Sequence, residues 1–444
     1  MTLLAGLAIV AVAVVAVLRR LDVRLVLTVA ALALGLLSGT PALILRTFLS
    51  TFSSEQFVIP IGCAVGFAYV LRHTGCEQHL IQLLVRPLRR ARGLLIPGVV
   101  LVGFAVNVPV ISQVATAVSI GAVLVPLLRA ARVSPVTTGA ALLLGCSLGG
   151  DLLNPGAPEW RTVADTLGTD SRECVSRVFG LLLLEVGIAT AVFWVLSAFA
   201  ERAAPQAVAD EAETVEGKAF RVNYVKAAVP LVPLVLLFLT GPPLRLIDVP
   251  HHWLTDPAKV GDAANFSSRL IGAAMLVGVA AAVAVAPAAA RGAARAFCEG
   301  AGYAMTNIVS LIVAAACFGK GVEGIGVKDA LGRLVGAHPG LLLPSAGLLP
   351  LGFAMVCGSG MATTQALFGF FVDPARAAGI DPLLVGAVVA ILASAGRTMS
   401  PVAAVVLMSG SMTGSEPLAL VRRVVLPLAC GAIAVLVAAA LLAR

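Results

Sequence analysis

Charge is scarce in this chain: Asp, Glu, Lys and Arg make up 12% of 444 residues, against 59% hydrophobic residues and a mean hydropathy of +1.01. A water-soluble domain needs a charged outer surface, so this composition excludes one and leaves a polytopic membrane protein. There is no Cys-x-x-Cys pair. The eight cysteines, at 63, 76, 146, 174, 298, 317, 357 and 430, are scattered, mostly within apolar segments, and read as small buried hydrophobes. His251-His252 has no carboxylate or cysteine at helical ligand spacing beside it, which favours a solvated loop over a metal site. No basic residue precedes the first apolar run, Leu3 to Leu18, and no cleavage-type small-residue site follows it, so it reads as a retained helix rather than a signal peptide. The formal charge of +8 comes mostly from arginines in short loops. That pattern speaks of topology and lipid headgroups, and nothing argues for nucleic-acid binding.

What is present is concentrated in two stretches. Gly145 to Glu159, GCSLGGDLLNPGAPE, sets an aspartate, an amide, four glycines and two prolines between strongly apolar segments. Proline lacks a donor, glycine is a poor helix former, and Asn154 precedes Pro155, so an unbroken helix is excluded. In a bilayer, such irregular backbone survives only against protein or a wet cavity. The second stretch, Ser394 to Pro401, SAGRTMSP, repeats the order Ser, Gly, charge, polar residue, Pro. Upstream, Gly93-Leu-Leu-Ile-Pro97 is echoed by Gly340-Leu-Leu-Leu-Pro344, and Gly103-Phe-Ala105 by Gly352-Phe-Ala354, at offsets of 247 and 249 residues. An ordered series at nearly constant offset indicates two homologous halves with one broken helix each, the sequence signature of a secondary transporter's binding site.

Hydropathy and the positive-inside rule place the rest. The turn Arg19 to Arg24 is expected in the cytoplasm, with the basic cluster Arg86, Arg89, Arg90 and Arg92. Leu94 to Val106 has 13 residues, about 20 Å of helix against a hydrocarbon core of ~30 Å. With the knot Asn107 to Gln113 and the run on to Leu128, it reads as a re-entrant hairpin. Leu341 to Val356, the knot Cys357 to Gln365 and Ala366 to Val372 form a second hairpin from the other side. Glu159 to Cys174 is expected outside. The fold expected is an all-α polytopic membrane protein with two inverted-topology repeats, each carrying a re-entrant helical hairpin and a discontinuous transmembrane helix. Its divisions are N-terminal helices and an interfacial segment (1–54), the first repeat (55–200), a cytoplasmic linker (201–226), connecting transmembrane helices (227–298) and the second repeat (299–444).

If the two halves are related by an axis in the membrane plane, the hairpin knots and helix breaks meet near its middle. The knots offer Asn107, Ser112, Gln113 and Thr116, then Ser359, Thr363, Thr364 and Gln365. The breaks offer Ser147, Asp151 and Asn154, then Ser394, Arg397, Thr398 and Ser400. Freed helix N-termini favour anions, while freed carbonyls and hydroxyls suit a small cation. Substrate contact is therefore expected from Asn107, Ser112, Gln113, Asn154, Ser359, Thr363, Thr364, Arg397, Thr398 and Ser400, and cation or proton coupling from Ser147, Asp151 and Ser394. Arg397 has two open readings: its planar fork matches a carboxylate substrate, or it pairs internally with Asp151. Glu185 and Glu299 stand as single carboxylates that relay protons, snorkel or bond a neighbouring helix, the last two favoured for each. The hairpin residues, equally, could serve only as helix caps.

The stretches GSGMATTQALFGFF, SAGRTMSPVAAVV and LALVRRVVLPLACG resemble the C-terminal half of the four-carbon dicarboxylate anaerobic carriers, the DcuC type, within the ion transporter superfamily. On that resemblance Ser359, Gly360, Arg397, Thr398, Ser400 and Pro401 fall on the family's second-half motif, and Gly360 joins the expected substrate site. The resemblance implies an inner-membrane, dimeric carrier, not an enzyme, for dicarboxylates such as succinate or fumarate. No cofactor is expected beyond a coupling proton or sodium ion. The first half departs from the pattern: Asn107 to Gln113 is less rich in Ser and Gly, and GGDLLNPGAPE is longer and richer in proline. A carrier for another organic anion or an amino acid is the alternative. A channel, or an intramembrane aspartyl protease suggested by Gly149-Gly150-Asp151, is remote; for the protease, Leu148 replaces the motif's first glycine.

Overall fold

The computed structural model describes residues 2–19, 21–88, 94–203, 221–240, 245–256, 258–259, 262–327, 330, 332–333 and 337–443. Among them the regular structure is helical, with no strand, as hydrocarbon demands of segments that must satisfy their own backbone groups. Among the described residues, seven segments are long and apolar enough to cross a membrane. Arg89, Arg90 and Arg92, and most of the expected 201–226 linker, lie outside the described residues.

Three helices come first: α1 (Thr2–Leu18), α2 (Val23–Leu37) and α3 (Pro41–Phe52). Asp22 caps α2 by accepting from the backbone N–H of Arg24 at 2.8 Å and of Leu25 at 3.3 Å. Next are α4 (Glu55–Thr74), α5 (Cys76–Val85), α6 (Leu95–Asn107), α7 (Gln113–Ala130), α8 (Pro135–Ser147), α9 (Pro158–Leu167) and α10 (Ser171–Ala203). After α11 (Tyr224–Ala228), α12 (Val232–Leu239) and α13 (Phe266–Val285), α14 (Ala290–Ala304) passes through a π-turn at Met305–Val309 into α15 (Ser310–Gly324). The chain ends with α16 (Leu342–Cys357), α17 (Gly360–Leu367), α18 (Gly369–Ala377), α19 (Pro382–Thr398), α20 (Ala404–Thr413) and α21 (Pro417–Leu442).

One order of elements thus occurs twice, apart from the extra helix α18 in the second set: a helix pair, a helix opened by proline and ended by a break, a short helix, then a long one. The local chemistry recurs as well. Pro135 and Pro382 occupy the first turns of α8 and α19, behind the capping side chains Ser134 and Asp381. Ser112 and Ser359 cap α7 and α17, the second arm of each helix pair.

Packing puts the breaks at the centre. The apolar window of Pro135–Leu167 is 89% buried, against 39% for Pro417–Leu442, so the broken helix is enclosed by protein while α21 keeps a broad apolar face for lipid. The largest hydrophobic cluster interleaves the two sets, joining Val99, Leu144 and Trp160 with Ile391, Val406 and Leu428. Helix α6 approaches α8 so closely that a Cβ on Gly103 would lie 2.8 Å from the backbone of Gly145, a contact only small residues permit. A second cluster packs α1 and α2 on α15, and a third packs α4 on α13 and α14.

One local expectation resolves differently, and two other sequence-flagged groups find their surroundings. The stretch expected outside from Glu159 begins instead with a buried helix, where Glu159, Trp160 and Arg161 are 1%, 1% and 3% exposed. Two prolines and a Glu-Trp-Arg run look solvent-facing in sequence, but Pro158 at the first helical position restarts a helix, and Trp160 Nε1 donates to the freed carbonyl of Leu152 at 2.7 Å. Glu299 is exposed and pairs with Arg295 at 2.9 Å. His251 and His252 lie exposed in a short turn, in line with the solvated-loop reading, and the His251 ring stacks on Phe266 with centroids 3.9 Å apart.

Candidate functional site

The site is built where the C-terminal turns of α8 and α19 cross. Helix α8 stops at Ser147 because Gly149 takes a left-handed φ of 83° and the chain passes into a 3₁₀ turn, Gly150–Leu153. The carbonyl of Ser147 then lacks the intrahelical partner a longer helix would supply. Side chains from one face of α19 supply it instead: Ser394 Oγ at 3.3 Å, Arg397 Nη2 at 3.2 Å and Thr398 Oγ1 at 2.9 Å. Their spacing of three and four residues puts all three on that face. The Ser147 hydroxyl lies 2.7 Å from Thr398 Oγ1 and accepts from Arg397 Nε at 3.3 Å, and Arg397 Nη2 donates to Ser394 Oγ at 2.8 Å. Ser147 and Ser394, matched in sequence at an offset of 247, are therefore hydrogen-bonded partners.

Arg397 is 3% exposed, and its fork is divided. Nε and Nη2 hold the two breaks together, whereas Nη1 has no hydrogen-bond partner and stands 3.9 Å from Asp151 Oδ2. That distance is an electrostatic contact beyond hydrogen-bond reach. Asp151 Oδ2 accepts instead from Gln113 Nε2 at 2.5 Å, and Asp151 Oδ1 is unpartnered. The Asp151 N–H donates to Asn107 Oδ1 at 3.2 Å, and Asn107 Nδ2 donates to the carbonyl of Val110 at 2.9 Å. The first helix pair is thereby tied to the first break.

A cavity of about 450 Å³ opens onto this crossing, with Ser112, Gln113, Ser359, Arg397 and Pro401 among its walls. The chain turns between α16 and α17 at Gly358, φ 70°, with the cap residue Ser359 following. The N-termini of α7 and α17 thus both reach the cavity that the guanidinium also reaches. Backbone donors at two helix N-termini beside an arginine suit an anion with more than one acceptor group.

A protein-family model described as the C4-dicarboxylate anaerobic carrier matches residues 57–443. The chain belongs to that family. The chain is 24% identical to the anaerobic C4-dicarboxylate transporter DcuC of Escherichia coli K12 over 399 residues, covering 85% of this chain and 79% of the relative. An uncharacterized transporter of Haemophilus influenzae is 33% identical over 121 residues, 27% of this chain and 83% of the relative. In fold, the carrier is similar to the YdaH transporter of Alcanivorax borkumensis, whose crystal structure was described as having an unusual topology. The TM-score is 0.58 at 17% identity, over 90% of this chain and 87% of that one.

The other candidate residues of the carrier divide by environment. Asn154 is wholly internal: Nδ2 donates to the carbonyl of Val108 at 3.0 Å and Oδ1 accepts from the N–H of Gly156 at 2.9 Å. Thr116 donates to the Val110 carbonyl at 3.2 Å, and Thr363 to the Ser359 carbonyl at 2.7 Å. Gly360 lets the start of α17 lie against Ala393 and Ser394. Thr364 and Ser400 are buried with unpartnered hydroxyls. Gln365 accepts from Thr162 of α9 at 2.7 Å and lines a second cavity rather than this one.

Sequence reasoning missed part of the cavity wall. Asp22, Arg24, Tyr303 and Asn307 line it from the cap of α2, α2 itself, the end of α14 and the π-turn, and Arg24 Nη1 donates to the Thr306 carbonyl at 2.8 Å. Nothing in the sequence marks that π-turn. Glu185, flagged in sequence, is 1% exposed with Oε1 unpartnered, at the tight contact of α10 with Gly431 of α21.

Proposed function

We propose that this chain is a secondary active carrier of small carboxylates, with C4-dicarboxylates such as succinate or fumarate as its substrates. The observation that carries the reading is Arg397: a buried guanidinium with one donor free, at a cavity shared by two capped helix N-termini. One carboxylate takes Arg397 Nη1, and the second reaches the Ser112–Gln113 or Ser359–Gly360 end of the cavity. Binding there draws Arg397 further from Asp151, which makes Asp151, Ser147 and Ser394 the coupling groups for a proton or a sodium ion. The two sets of elements act as inverted repeats with re-entrant hairpins, one part of each moving past a scaffold to alternate access. The name of the E. coli relative and the matched family support the substrate class. The carrier works as a homodimer in the cytoplasmic membrane.

The deciding experiment is uptake of labelled succinate into proteoliposomes under an imposed proton gradient and, separately, a sodium gradient. Accumulation driven by either establishes the carrier and its coupling ion. Absence of accumulation and of succinate counterflow, with correctly inserted protein, redirects the reading to other organic anions and amino acids.

A further inference from the structure

Glu159 has no place in the site as described, yet it is among the most enclosed carboxyls of the chain. It is 1% exposed, and neither side-chain oxygen has a hydrogen-bond partner. A carboxyl left unpaired in a protein interior is costly to keep, and inside a membrane protein such a group marks a path for ions or protons. The charged groups acting on it are Asp151, in the turn before α9, and Arg397 of α19. Among the described residues, α4, α10 and α17, which pack on the same helix, add no third.

On its other side lies a second cavity, of about 530 Å³, lined by Thr162, Asp165 and Thr166 of α9, by Lys320 and Glu323 of α15 and by Gln365 of α17. Glu159, Thr162, Asp165 and Thr166 fall on one side of α9, and the helical rise puts Glu159 about 4.5 Å deeper than Thr162. The Thr162–Gln365 hydrogen bond joins α9 to α17 at that cavity's wall. Arg397 and Gln113, which hold Asp151 from the other direction, line the first cavity. Glu159 lines neither cavity: it stands one helical turn before Thr162 of the second cavity, in the field of Asp151, which Gln113 and Arg397 of the first cavity hold.

We infer that Glu159 is a proton relay linking the carboxylate site to the second cavity, an inference that rests on the carrier reading for the site at its inner end. The proton passes from the second cavity, which Asp165 lines, through hydrogen-bonded water to Glu159 and on to Asp151. Each step breaks one O–H bond as the next forms, and no electrons move. The cluster explains why a proton is required: Asp151, Glu159 and Glu185 act on one guanidinium, Arg397. Bringing a dicarboxylate to that guanidinium adds negative charge to a centre already rich in it, and a proton on the cluster offsets it.

The test is Glu159→Gln in proteoliposomes, with two readouts. Exchange of labelled for unlabelled succinate should persist. Accumulation driven by a proton gradient should fall about tenfold or more, the loss expected when a positioned proton carrier is removed. Independently of any substrate, infrared difference spectra of the unaltered protein should show a buried carboxyl band that responds to pH and disappears in Glu159→Gln. Unimpaired proton-driven accumulation by Glu159→Gln, or an infrared band that survives it, would overturn the relay. Loss of exchange together with accumulation in an inserted variant would also overturn it, because Glu159 would then serve binding or packing. Should Glu159→Gln fail to insert, Glu159→Asp, which keeps an exchangeable proton, must still couple, and an uncoupled Glu159→Asp that exchanges normally would refute the assignment. If the unaltered protein moves no carboxylate at all, the carrier reading fails, and the infrared readout still decides Glu159.

Discussion

Replacing Arg397 by lysine separates charge from geometry at the cavity. The guanidinium makes three hydrogen bonds that hold Ser147 and Ser394, and it presents Nη1 separately to Asp151 and the cavity. A lysine ammonium keeps the charge but is a single point on a flexible stem, so it cannot hold both serines and face a carboxylate in a fixed plane. The substrate then loses about one hydrogen bond to a charged partner, about 1.5–3 kcal/mol, or roughly a 10- to 150-fold rise in KM. The assay is the concentration dependence of succinate uptake in proteoliposomes containing equal amounts of inserted protein. An ammonium still sits at the C-terminal end of α8, where a cation is favourable, so insertion should survive. An unchanged KM would show that Nη1 does not touch substrate and would leave Arg397 as a clip between the two breaks.

Other expectations follow from individual contacts. Asp151→Asn removes the carboxylate between Gln113 and Arg397, and should change the dependence of uptake on pH or sodium; identical dependence in mutant and unaltered protein would leave Asp151 only a structural part. Gly103→Ala would set a methyl 2.8 Å from the backbone of Gly145, which cannot yield as a side chain can. An overpacking cost of about 1–3 kcal/mol should lower the thermal unfolding midpoint in detergent, and a midpoint at or above the unaltered one would argue against the tight α6–α8 contact. Asp22→Ala removes the cap of α2 at a cost of about 1 kcal/mol. The hydrogen bond from the Arg24 side chain holds the Asp22 carboxyl down at about 2, against an ordinary value of 3.8. Because the folded value is the lower one, this contribution is complete above about pH 5 and fades as pH falls toward the folded value. A stability difference between mutant and unaltered protein that drifts between neutral pH and pH 5 would contradict it.

Much of the architecture was legible before any tertiary contact. Leu94–Val106 is too short to cross and ends in a polar knot, and the structure has α6 end at Asn107 and α7 begin at Gln113. Pro155, Pro158 and Pro401 mark the two breaks because proline acts through its own covalent geometry, whatever surrounds it. The face of a helix is harder to read than its ends. Glu159 follows Gly-Ala-Pro and precedes Trp-Arg, which reads as a loop leaving the membrane, and only the packing of α9 against α10, α17 and α19 buries it. Asn307 reaches the cavity from a π-turn that has no marker in sequence, and Tyr303 from the end of α14 just before it.

By itself, the sequence determined that this protein lives in a bilayer, that its helices break at two places, and that the breaks fall in matching positions 247 residues apart. Hydropathy, proline and glycine act locally, so those properties need no partner to be read. Tertiary structure alone decided how Arg397 divides its donors, with Nε and Nη2 spent on Ser147 and Ser394 and Nη1 left free beside Asp151. It also decided that Glu159 is buried with neither carboxyl oxygen bonded, one helical turn before Thr162 of the second cavity. Which donor is satisfied and which carboxyl is stranded depends on the crossing of α8 with α19 and of α9 with α17. Those crossings join residues about 200 to 250 positions apart through contacts of 2.7–3.3 Å that no local pattern encodes.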